Sequence, residues 1–472
     1  MRIHKDYTEG PIVRSLISLS IPIILANVLQ TAYQLIDTYW VGRLGTEAVA
    51  AVSLSFPLNF LFIALGGGLA IAGTVLVAQY RGKQDQESIN HVSGQTLLIL
   101  TIVSFILAVI GYTFAEPIIR LMGAGPDVLP EASAFLRVSF VGLPFMFGFF
   151  VYQSLMRGVG DVQKPMYIVL VTVVLNFFLD PLFMYGWGPI PRLGVAGVAW
   201  ATVLTQAIAT IIGFRYLLGG RYGIHIQMKH LRPDFPLITR IFWLGFPASV
   251  EQSTRALGLT IMTVLVASFG TVVIASYGIG IRMLTFIIIP AMGLSMAAST
   301  IVGQNIGAGR IARAERTAIL GSLISWLLLT VIGGMVFLIA PVLSSLFVPG
   351  EEAVIAESAS FIRIMAFTFG FMGAQQVLTG TLRGSGSTVA SMLLSILSLW
   401  IIQFPLAYIL SKHTPLAEDG IWWAFAGSNI LSTLLVGVWF WKGDWKKKKL
   451  TEEVKLKEET MEEIIIDEGV QA

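Results

Sequence analysis

Long apolar segments recur along the whole chain, and they restrict it to one class of fold. The stretch of residues 16–40, for example, contains Asp37 as its single charged residue. About 20 apolar residues are enough for a helix to cross a bilayer, and backbone groups in lipid must pair within their own segment. We therefore predict an all-α integral membrane protein.

The apolar segments divide into twelve predicted transmembrane helices. Several are longer than one crossing requires, which predicts tilt or protrusion from the bilayer rather than extra crossings. The predicted helices are residues 15–38, 48–79, 93–116, 132–156, 166–185, 195–218, 237–269, 272–304, 317–342, 353–382, 389–410 and 421–441.

The amino-acid composition agrees with this class and excludes several others. Hydrophobic residues make up 55% of the chain and charged residues 12%, which is more apolar than a soluble globular protein needs to be. The absence of cysteine excludes disulfides, thiolate nucleophiles and thiolate metal sites. The polar residues 1–10 do not resemble a cleavable signal peptide. We predict no cofactor and no nucleic-acid partner.

Lysine and arginine are concentrated in alternate connections between the predicted helices. The opposite set of connections carries Arg43, Arg120, Arg192 and Lys412, together with more acidic residues. By the positive-inside rule, both termini are predicted to be cytoplasmic. Residues 442–472 form a charged tail, which we expect to be solvated.

An internal repeat relates the two halves of the chain at offsets of 225 and 226 residues. Matched pairs include Gln79 with Gln304, Gly82 with Gly307, Arg157 with Arg383 and Gly158 with Gly384. Because six helices separate equivalent positions, the halves are parallel repeats related by an axis along the membrane normal. The predicted divisions are a cytoplasmic N-terminus at 1–14, a first lobe at 15–218, a connection at 219–236, a second lobe at 237–441 and the tail at 442–472.

Acidic side chains within the apolar segments are the strongest functional signal. A charge at the centre of a bilayer costs roughly 2.5 kcal/mol or more, yet Asp37, Asp180 and Glu251 all lie inside predicted helices. Such residues mark ion pathways in membrane proteins. The pattern therefore predicts ion-coupled transport.

Polar side chains of three first-lobe helices are predicted to lie at one depth, towards the outer side. They are Asp37 with Tyr33, Asn176 with Asp180, and Thr202. Residues four apart share a helix face, so Tyr33 lies on the same face as Asp37, and Asn176 on the same face as Asp180. Carboxylate, amide and hydroxyl oxygens suit a hard cation such as Na⁺, and two close carboxylates also tend to keep a proton. Both ions stay open, as does a purely structural role in bonding helices together.

Four runs, at residues 36–42, 176–183, 193–197 and 302–309, resemble motifs of the multidrug and toxic compound extrusion (MATE) family. Their order and spacing within a repeated twelve-helix plan make the combination specific, and the resemblance covers about residues 11–441. It implies two six-helix lobes around a central cavity in a prokaryotic plasma membrane. It also implies a secondary active antiporter that exports cationic or amphipathic compounds in exchange for H⁺ or Na⁺ by alternating access.

The resemblance also assigns the ion site to one branch of the family. Asp37, Asn176, Asp180 and Thr202 match positions at which the DinF-like branch carries its cation or proton site. The NorM-like branch instead has an aspartate in the tenth helix, and no acidic residue stands near that position here. The ion site is therefore predicted to be closer to the DinF-like than to the NorM-like pattern.

The second lobe has apolar residues, Met262, Ile402 and Leu406, at the repeat positions of these carboxylates and the amide. It carries Glu251 and Arg255 instead, four apart in the favourable order for an ion pair on a helix. Two interpretations of Glu251 follow. It forms a structural ion pair, or it attracts a cation within the cavity.

A cavity for bulky amphipathic compounds needs apolar and aromatic walls with adaptable side chains. Ordinary helix packing is the alternative role for each candidate. The predicted cavity residues are Gln34, Phe149, Tyr152, Glu251, Met262, Arg282, Phe286, Met292, Phe371 and Gln375. Pro22 and Pro247 are the predicted hinges of the rocking lobes.

Two other functional classes compete with this interpretation. A lipid-linked oligosaccharide or lipid flippase of the same superfamily would be expected to line its cavity with several basic residues, and arginines within the helices are few. An integral-membrane enzyme is less favoured, because the five histidines lie in or beside loops and no nucleophile with a base is apparent. The expected partners are the lipid bilayer and small organic cations or amphipaths, and we expect a monomer.

Overall fold

The computed structural model describes residues 7–451 except residues 190, 221 and 449. Predictions for residues 1–6 and 452–472, at the two termini, lie outside the described residues. Two short 3-10 helices, Met228–Leu231 and Asp444–Lys447, and a π-helix, Leu397–Gln403, accompany the α-helices. The α-helices are α1 (Ile12–Gly42), α2 (Thr46–Gly82), α3 (Gln86–Leu121), α4 (Leu129–Val159), α5 (Gln163–Tyr185), α6 (Val195–Leu218), α7 (Phe235–Ala267), α8 (Thr271–Gly307), α9 (Ile311–Phe347), α10 (Glu352–Ala366), α11 (Phe369–Gly384), α12 (Thr388–Ile396), α13 (Phe404–Lys412) and α14 (Asp419–Lys442).

Together these helices make up the twelve predicted spans. Each of α1 to α9 forms one span, and α10 with α11 forms the tenth as a pair bent by 54°. The eleventh span consists of α12, the π-helix and α13, and the twelfth is α14. The seventh span, α7, is less apolar than the other long helices because it carries Arg240, Glu251 and Arg255.

Sequence signals explain where several helices begin and end. The side chains of Asp85 and Asp234 accept hydrogen bonds from backbone N–H groups in the first turns of α3 and α7, at 3.0 and 3.2 Å, as N-caps do. Gly160 and Gly443 end α4 and α14 in the left-handed conformation that glycine adopts readily. Three of the predicted helix ends, at residues 156, 237 and 441, fall within four residues of these caps, whereas α3 begins seven residues before its predicted start at residue 93.

The prediction of one continuous helix for the tenth span is wrong. The helix is interrupted between Ala366 and Phe369. Thr368 Oγ1 donates to the carbonyl of Met365 at 2.9 Å and accepts from Asn429 Nδ2 at 3.2 Å. A threonine hydroxyl that bonds nearby backbone groups offers the chain an alternative to the helix ladder, and Thr368 makes such a bond at the break.

The two predicted hinge prolines do not interrupt their helices in this conformation. The first helix is continuous through Pro22, and the seventh is continuous through Pro247. Proline removes one backbone hydrogen bond within a helix, so both positions are weak points in otherwise regular helices. Their role as hinges stays a prediction.

The first six spans form one lobe and the last six form the other, with one helix of each lobe reaching across. The inner half of α1 packs its Leu16 and Leu19 against Leu294 and Ala297 of α8. The corresponding half of α7 packs against α2, where Ser249 Oγ donates to a backbone carbonyl at 3.1 Å. Because both crossing helices follow the repeat, the lobe contact is nearly symmetric.

At one end of the molecule the lobes join through residues that the repeat makes equivalent. Gln304 Nε2 donates to the Gly158 carbonyl at 2.9 Å. Gln79 Nε2 donates to the Gly384 carbonyl at 3.4 Å. Each glutamine thus bonds the opposite lobe, in the reciprocal manner of a two-fold interface.

Glycine permits direct backbone contact at this same end. A Cβ atom added to Gly82 would overlap the carbonyl oxygen of Gln304, and one added to Gly307 would overlap the carbonyl oxygen of Gln79. Small residues of this kind allow membrane helices to approach closely. The ends of α2 and α8 therefore seal the space between the lobes here.

At the opposite end the lobes diverge. Arg282, Phe286, Gly293 and Gln304 lie on one face of α8, within about 40° of each other at 100° per residue. Gly293 packs against Ile24 of α1, whereas Phe286 is 49% exposed and Arg282 is exposed as well. The same face of α8 is therefore covered by the first lobe at the sealed end and open at the other, which defines a cleft between the lobes.

Segments beside the first and last helices cover the sealed end. The backbone N–H of Leu450 donates to Gln79 Oε1 at 3.1 Å, and the carbonyl of Tyr7 accepts from Asn305 Nδ2 at 3.3 Å. Trp445 is buried. The first residues of the tail are thus anchored rather than solvated as expected, because Trp445 and Leu450 remove apolar surface from water.

Candidate cation site and substrate cleft

The polar residues predicted at one depth in the first lobe converge in the structure. Thr202 Oγ1 donates to Asp37 Oδ2 at 3.4 Å, and Asn176 Nδ2 donates to Asp180 Oδ1 at 3.0 Å. Asp37 is also a direct neighbour of Asp180 and Asn176. Helix α5 packs against both α1 and α6, and this contact brings the four side chains together.

Three oxygen atoms of this cluster have no hydrogen-bond donor among the described residues. They are Asp37 Oδ1, Asn176 Oδ1 and Asp180 Oδ2. Asn176 and Asp180 are fully buried, whereas Asp37 is half-buried and keeps the cluster accessible. A buried acceptor without a donor costs about 1–3 kcal/mol, and more if it is charged. A bound cation or proton would offset this cost.

Tyr33 joins the cluster through a residue that the sequence analysis missed. Its hydroxyl oxygen lies 2.6 Å from Thr205 Oγ1, and Thr205 in turn donates to the Ala201 carbonyl at 3.0 Å. The Tyr33 hydroxyl therefore donates to Thr205. A signal for Thr205 was present, because it follows Thr202 by three residues and so lies close to it on the same side of α6.

The arrangement suits a hard monovalent cation or a proton. No three His, Cys, Asp or Glu side chains in the described part of the chain group as they would around a metal ion. Two carboxylates with an amide oxygen match the ligand preference of Na⁺. Two neighbouring carboxylates also share a proton readily, because ionising the second beside the first costs free energy. The chemistry accommodates either ion.

Glu251 forms the ion pair that its spacing from Arg255 predicted, and it gains a second cation as well. Glu251 Oε1 lies 3.0 Å from Arg255 Nη2 and 2.5 Å from Arg383 Nη2. Ser391 and Ser395 also donate to the carboxylate, at 2.8 and 2.9 Å. With 1% of its surface exposed, Glu251 does not line the open cleft in this conformation.

Arg383 was not anticipated as a partner of Glu251, since it lies at the end of its helix among the connections rich in positive charge. The repeat singled out Arg383 indirectly, because an arginine, Arg157, occupies the equivalent position of the first lobe. Ser391 and Ser395 are four apart and share one face of α12, which points them together at the carboxylate. Their pairing with a residue about 140 positions away in the chain leaves no local pattern.

Replacing Glu251 with glutamine is expected to destabilise the protein by about 3–5 kcal/mol, because the partly buried guanidinium groups of Arg255 and Arg383 would lose their counter-ion. The measurement is thermal unfolding of purified protein in detergent. The matched control is Glu116→Gln, which removes the partner of Arg120 in an exposed i,i+4 pair and should cost less than about 1 kcal/mol. Equal losses of stability in the two variants would contradict the assignment.

Three predicted cavity residues lie inside the lobes rather than on the cleft. Phe149 and Tyr152 belong to the first-lobe core, where their rings stack with centroids 6.0 Å apart. Met262 is buried in the second-lobe core. Their side chains meet neighbouring helices, so in this conformation they serve the packing role that was the alternative.

The other predicted cavity residues have accessible side chains, and their contact with substrate stays a prediction. Arg282 and Phe286 lie on the cleft face of α8. The remaining candidates are Gln34, which is exposed, and Met292, Phe371 and Gln375, which are half-buried.

Comparison with known proteins decides the family. The MatE family profile matches residues 22–182 and 247–409, once in each lobe and over more than half of the chain. This chain belongs to the MATE family. The two matches begin at residues 22 and 247, which reproduces the offset of the internal repeat.

Two relatives and one solved structure illustrate the range of similar proteins. The chain is 31% identical over 446 residues to the probable multidrug resistance protein YoeA of Bacillus subtilis, covering 93% of this chain and 95% of that protein. It is 25% identical over 410 residues to the FAD transporter of Shewanella oneidensis, covering 86% and 90%. Its fold matches the outward-facing structure of a multidrug resistance MATE family transporter with a TM-score of 0.86 at 23% identity, covering 92% of this chain and 96% of that one.

Several predictions from the sequence are thereby confirmed. This MATE protein is an all-α, multi-pass membrane protein with twelve spans in two lobes. It is a transporter family member and not an enzyme.

Proposed function

We propose that this MATE protein is a secondary active efflux antiporter, which exports cationic or amphipathic organic compounds in exchange for H⁺ or Na⁺. The observation that carries the proposal is the group of three buried oxygens, on Asp37, Asn176 and Asp180, that have no donor among the described residues. A membrane protein retains such groups where an ion passes. The name of the relative YoeA, a probable multidrug resistance protein, supports export of diverse compounds.

The sealed end of the cleft is proposed to face the cytoplasm. Arg81 and Lys83 stand at that end of α2, and Arg310 follows that end of α8. Since positive residues stay on the cytoplasmic side, the cleft opens outward and both termini are cytoplasmic. The membrane is then the prokaryotic plasma membrane, with the bilayer and small organic compounds as partners, and the protein functions as a monomer.

Ion binding and drug binding would be coupled by the packing of α1. Its outer half carries Asp37, and its inner half packs Leu16 and Leu19 against the second lobe. Binding of a cation or proton at Asp37 and Asp180 removes the cost of a buried negative charge. Ion binding would then change the relative stability of the two lobe arrangements by the free-energy cost of that buried charge. Alternating access requires such a difference in free energy.

The same placement supports a DinF-like rather than a NorM-like ion site. The four candidate residues all lie in the first lobe, on α1, α5 and α6. They are Asp37, Asn176, Asp180 and Thr202. The acidic residue of the second lobe, Glu251, is already neutralised by two arginines. Coupling is therefore assigned to the first lobe.

The proposal is tested by transport in proteoliposomes with Na⁺ and H⁺ gradients imposed one at a time. A rhodamine methyl ester serves as a fluorescent organic cation, and protein-free liposomes give the background. We expect one gradient to drive accumulation of the dye and its ionophore to abolish it. Movement of a lipid-linked oligosaccharide without gradient-driven movement of the dye would instead support a flippase.

A further inference from the structure

Charged side chains meet inside the second lobe without balancing one another. Arg255 Nη2 and Arg383 Nη2 converge on the same oxygen of Glu251, at 3.0 and 2.5 Å. Arg383 Nε also donates to the second carboxylate oxygen, at 3.2 Å. One carboxylate thus serves two guanidinium groups, and the group as a whole carries a surplus positive charge.

We assign the surplus positive charge to Arg255, because Glu251 makes most of its hydrogen bonds with Arg383 and two serines. Arg383 holds the carboxylate with two nitrogens, and Ser391 and Ser395 donate to it as well. Beyond its one bond to the shared oxygen, Arg255 contacts the neutral amide oxygen of Gln376, at 3.4 Å. A guanidinium has five N–H donors, so Arg255 keeps donors for a further acceptor.

The free side of Arg255 faces the interior of the second lobe rather than lipid. Its side chain is 35% exposed, against 1% for Glu251. Its partner Gln376 lies on α11, which is joined to α8 by the bond from Ser295 Oγ to the Gln376 carbonyl at 2.6 Å. The guanidinium therefore lies between α7 and α11, within the second lobe. An arginine facing hydrocarbon at this depth would carry a large energetic cost.

The first lobe presents a guanidinium, that of Arg157, without a carboxylate partner among the described residues. Arg157 is the repeat counterpart of Arg383 and therefore lies at an equivalent depth. Its Nη1 reaches across the lobe contact to Met296 Sδ, 2.9 Å away. No carboxylate pairs with it among the described ion pairs, although buried charges in proteins are generally paired.

We propose that Arg255, backed by Arg383, binds an anionic group of the transported compound, with Arg157 adding positive charge at the lobe contact. The class is an amphipath that carries a carboxylate or phosphate, including zwitterions whose cationic part lies elsewhere in the cleft. A guanidinium recognises both groups with two parallel hydrogen bonds. The inference rests on the proposed function, since the compound must enter the cleft to reach this site.

The test compares two dyes that differ by one charge: a rhodamine methyl ester and the same rhodamine with a free carboxylate. Binding to purified, monodisperse protein is measured by fluorescence anisotropy. In the unaltered protein we expect the carboxylate dye to bind more tightly. Arg255→Gln should reduce the ratio of the two affinities, carboxylate over ester, about tenfold, as expected for loss of a charged hydrogen bond.

Two further variants make the result specific. Arg120→Gln removes an arginine from a similar i,i+4 pair with Glu116 that is remote from the cleft, and its affinity ratio should equal that of the unaltered protein. Arg255→Lys keeps the charge but not the planar fork, and it should retain part of the ratio. A ratio of one in the unaltered protein, or equal ratios in Arg255→Gln and Arg120→Gln, would overturn the proposal.

A lipid headgroup offers the same chemistry as the anionic part of a substrate. Phosphatidylglycerol added at the concentration of the carboxylate dye should leave the dye bound, and its displacement would overturn the assignment to substrate. Failure of the proposed function gives a different result. In that case neither dye would move across liposomes under any gradient, whereas the affinity ratio would still respond to Arg255→Gln.

Discussion

The variant Gly82→Leu is expected to slow transport roughly tenfold to a hundredfold while leaving the protein folded. The leucine side chain would occupy the space of the Gln304 carbonyl oxygen on the opposite lobe, so the sealed end of the cleft would be forced apart. Overpacking at a tight contact costs about 1–3 kcal/mol, which lowers the population of the sealed state roughly tenfold to a hundredfold. A cycle that must pass through that state would slow by a similar factor.

Accessibility of an introduced cysteine measures this directly, because the natural chain contains none. Ser385 is fully buried at the sealed end, so Ser385→Cys should resist a membrane-impermeant maleimide in an otherwise unaltered protein and react with it alongside Gly82→Leu. The control is Gly67→Leu, in the same helix, where an added Cβ meets nothing within 4 Å. Full transport with a protected cysteine in the Gly82→Leu protein would show that this contact does not gate the cleft.

Replacing Asp37 with asparagine is expected to reduce gradient-driven efflux about a hundredfold. The substitution keeps the shape of the side chain but removes the charge whose neutralisation is proposed to drive the change between lobe arrangements. A buried charge costs roughly 2.5–3.5 kcal/mol on insertion scales, and each 1.4 kcal/mol corresponds to a factor of about ten. Asp180→Asn should act in the same direction, since both carboxylates belong to one cluster.

A second measurement separates loss of coupling from loss of binding. Exchange of labelled for unlabelled dye without an ion gradient should continue in Asp37→Asn, because the substrate cleft is intact. The matched control is Asp127→Asn, which changes an exposed aspartate in the connection between α3 and α4 and should leave coupling unaltered. Normal gradient-driven efflux by Asp37→Asn at normal expression would refute the assignment of the ion site.

Charge placement differs between the two lobes, and this difference organises the proposed mechanism. The first lobe holds two carboxylates, Asp37 and Asp180, each with one oxygen that has no donor among the described residues. The second lobe holds one carboxylate with two arginines. A cation site in one lobe and an anion site in the other would allow an ion and a substrate to bind apart from each other. Coupling would then act through the lobe contact rather than through competition for one site.

Much of the fold and of the ion site could be predicted from the sequence. The spacing of apolar segments set the number of spans, since each crossing needs its own run of apolar residues. The constant repeat offset gave the two lobes and paired Gly82 with Gly307 before their reciprocal contacts were seen. The common depth of Asp37, Asp180 and Thr202 was predicted by counting along each helix from the side of the membrane predicted to be cytoplasmic.

Other features depended on which helices pack together, and the tertiary structure alone decided them. The periodicity of a helix shows which face is buried but not which neighbour covers it. For that reason the pairing of Glu251 with Arg383 and the burial of Tyr152 within its lobe left no local pattern. The break at Thr368 was hidden for a related reason, because a hydroxyl that replaces a helix bond is common in intact helices too. The sequence by itself determined how many helices cross the membrane and at what depth their charges lie, whereas the packing of those helices decided which charges meet.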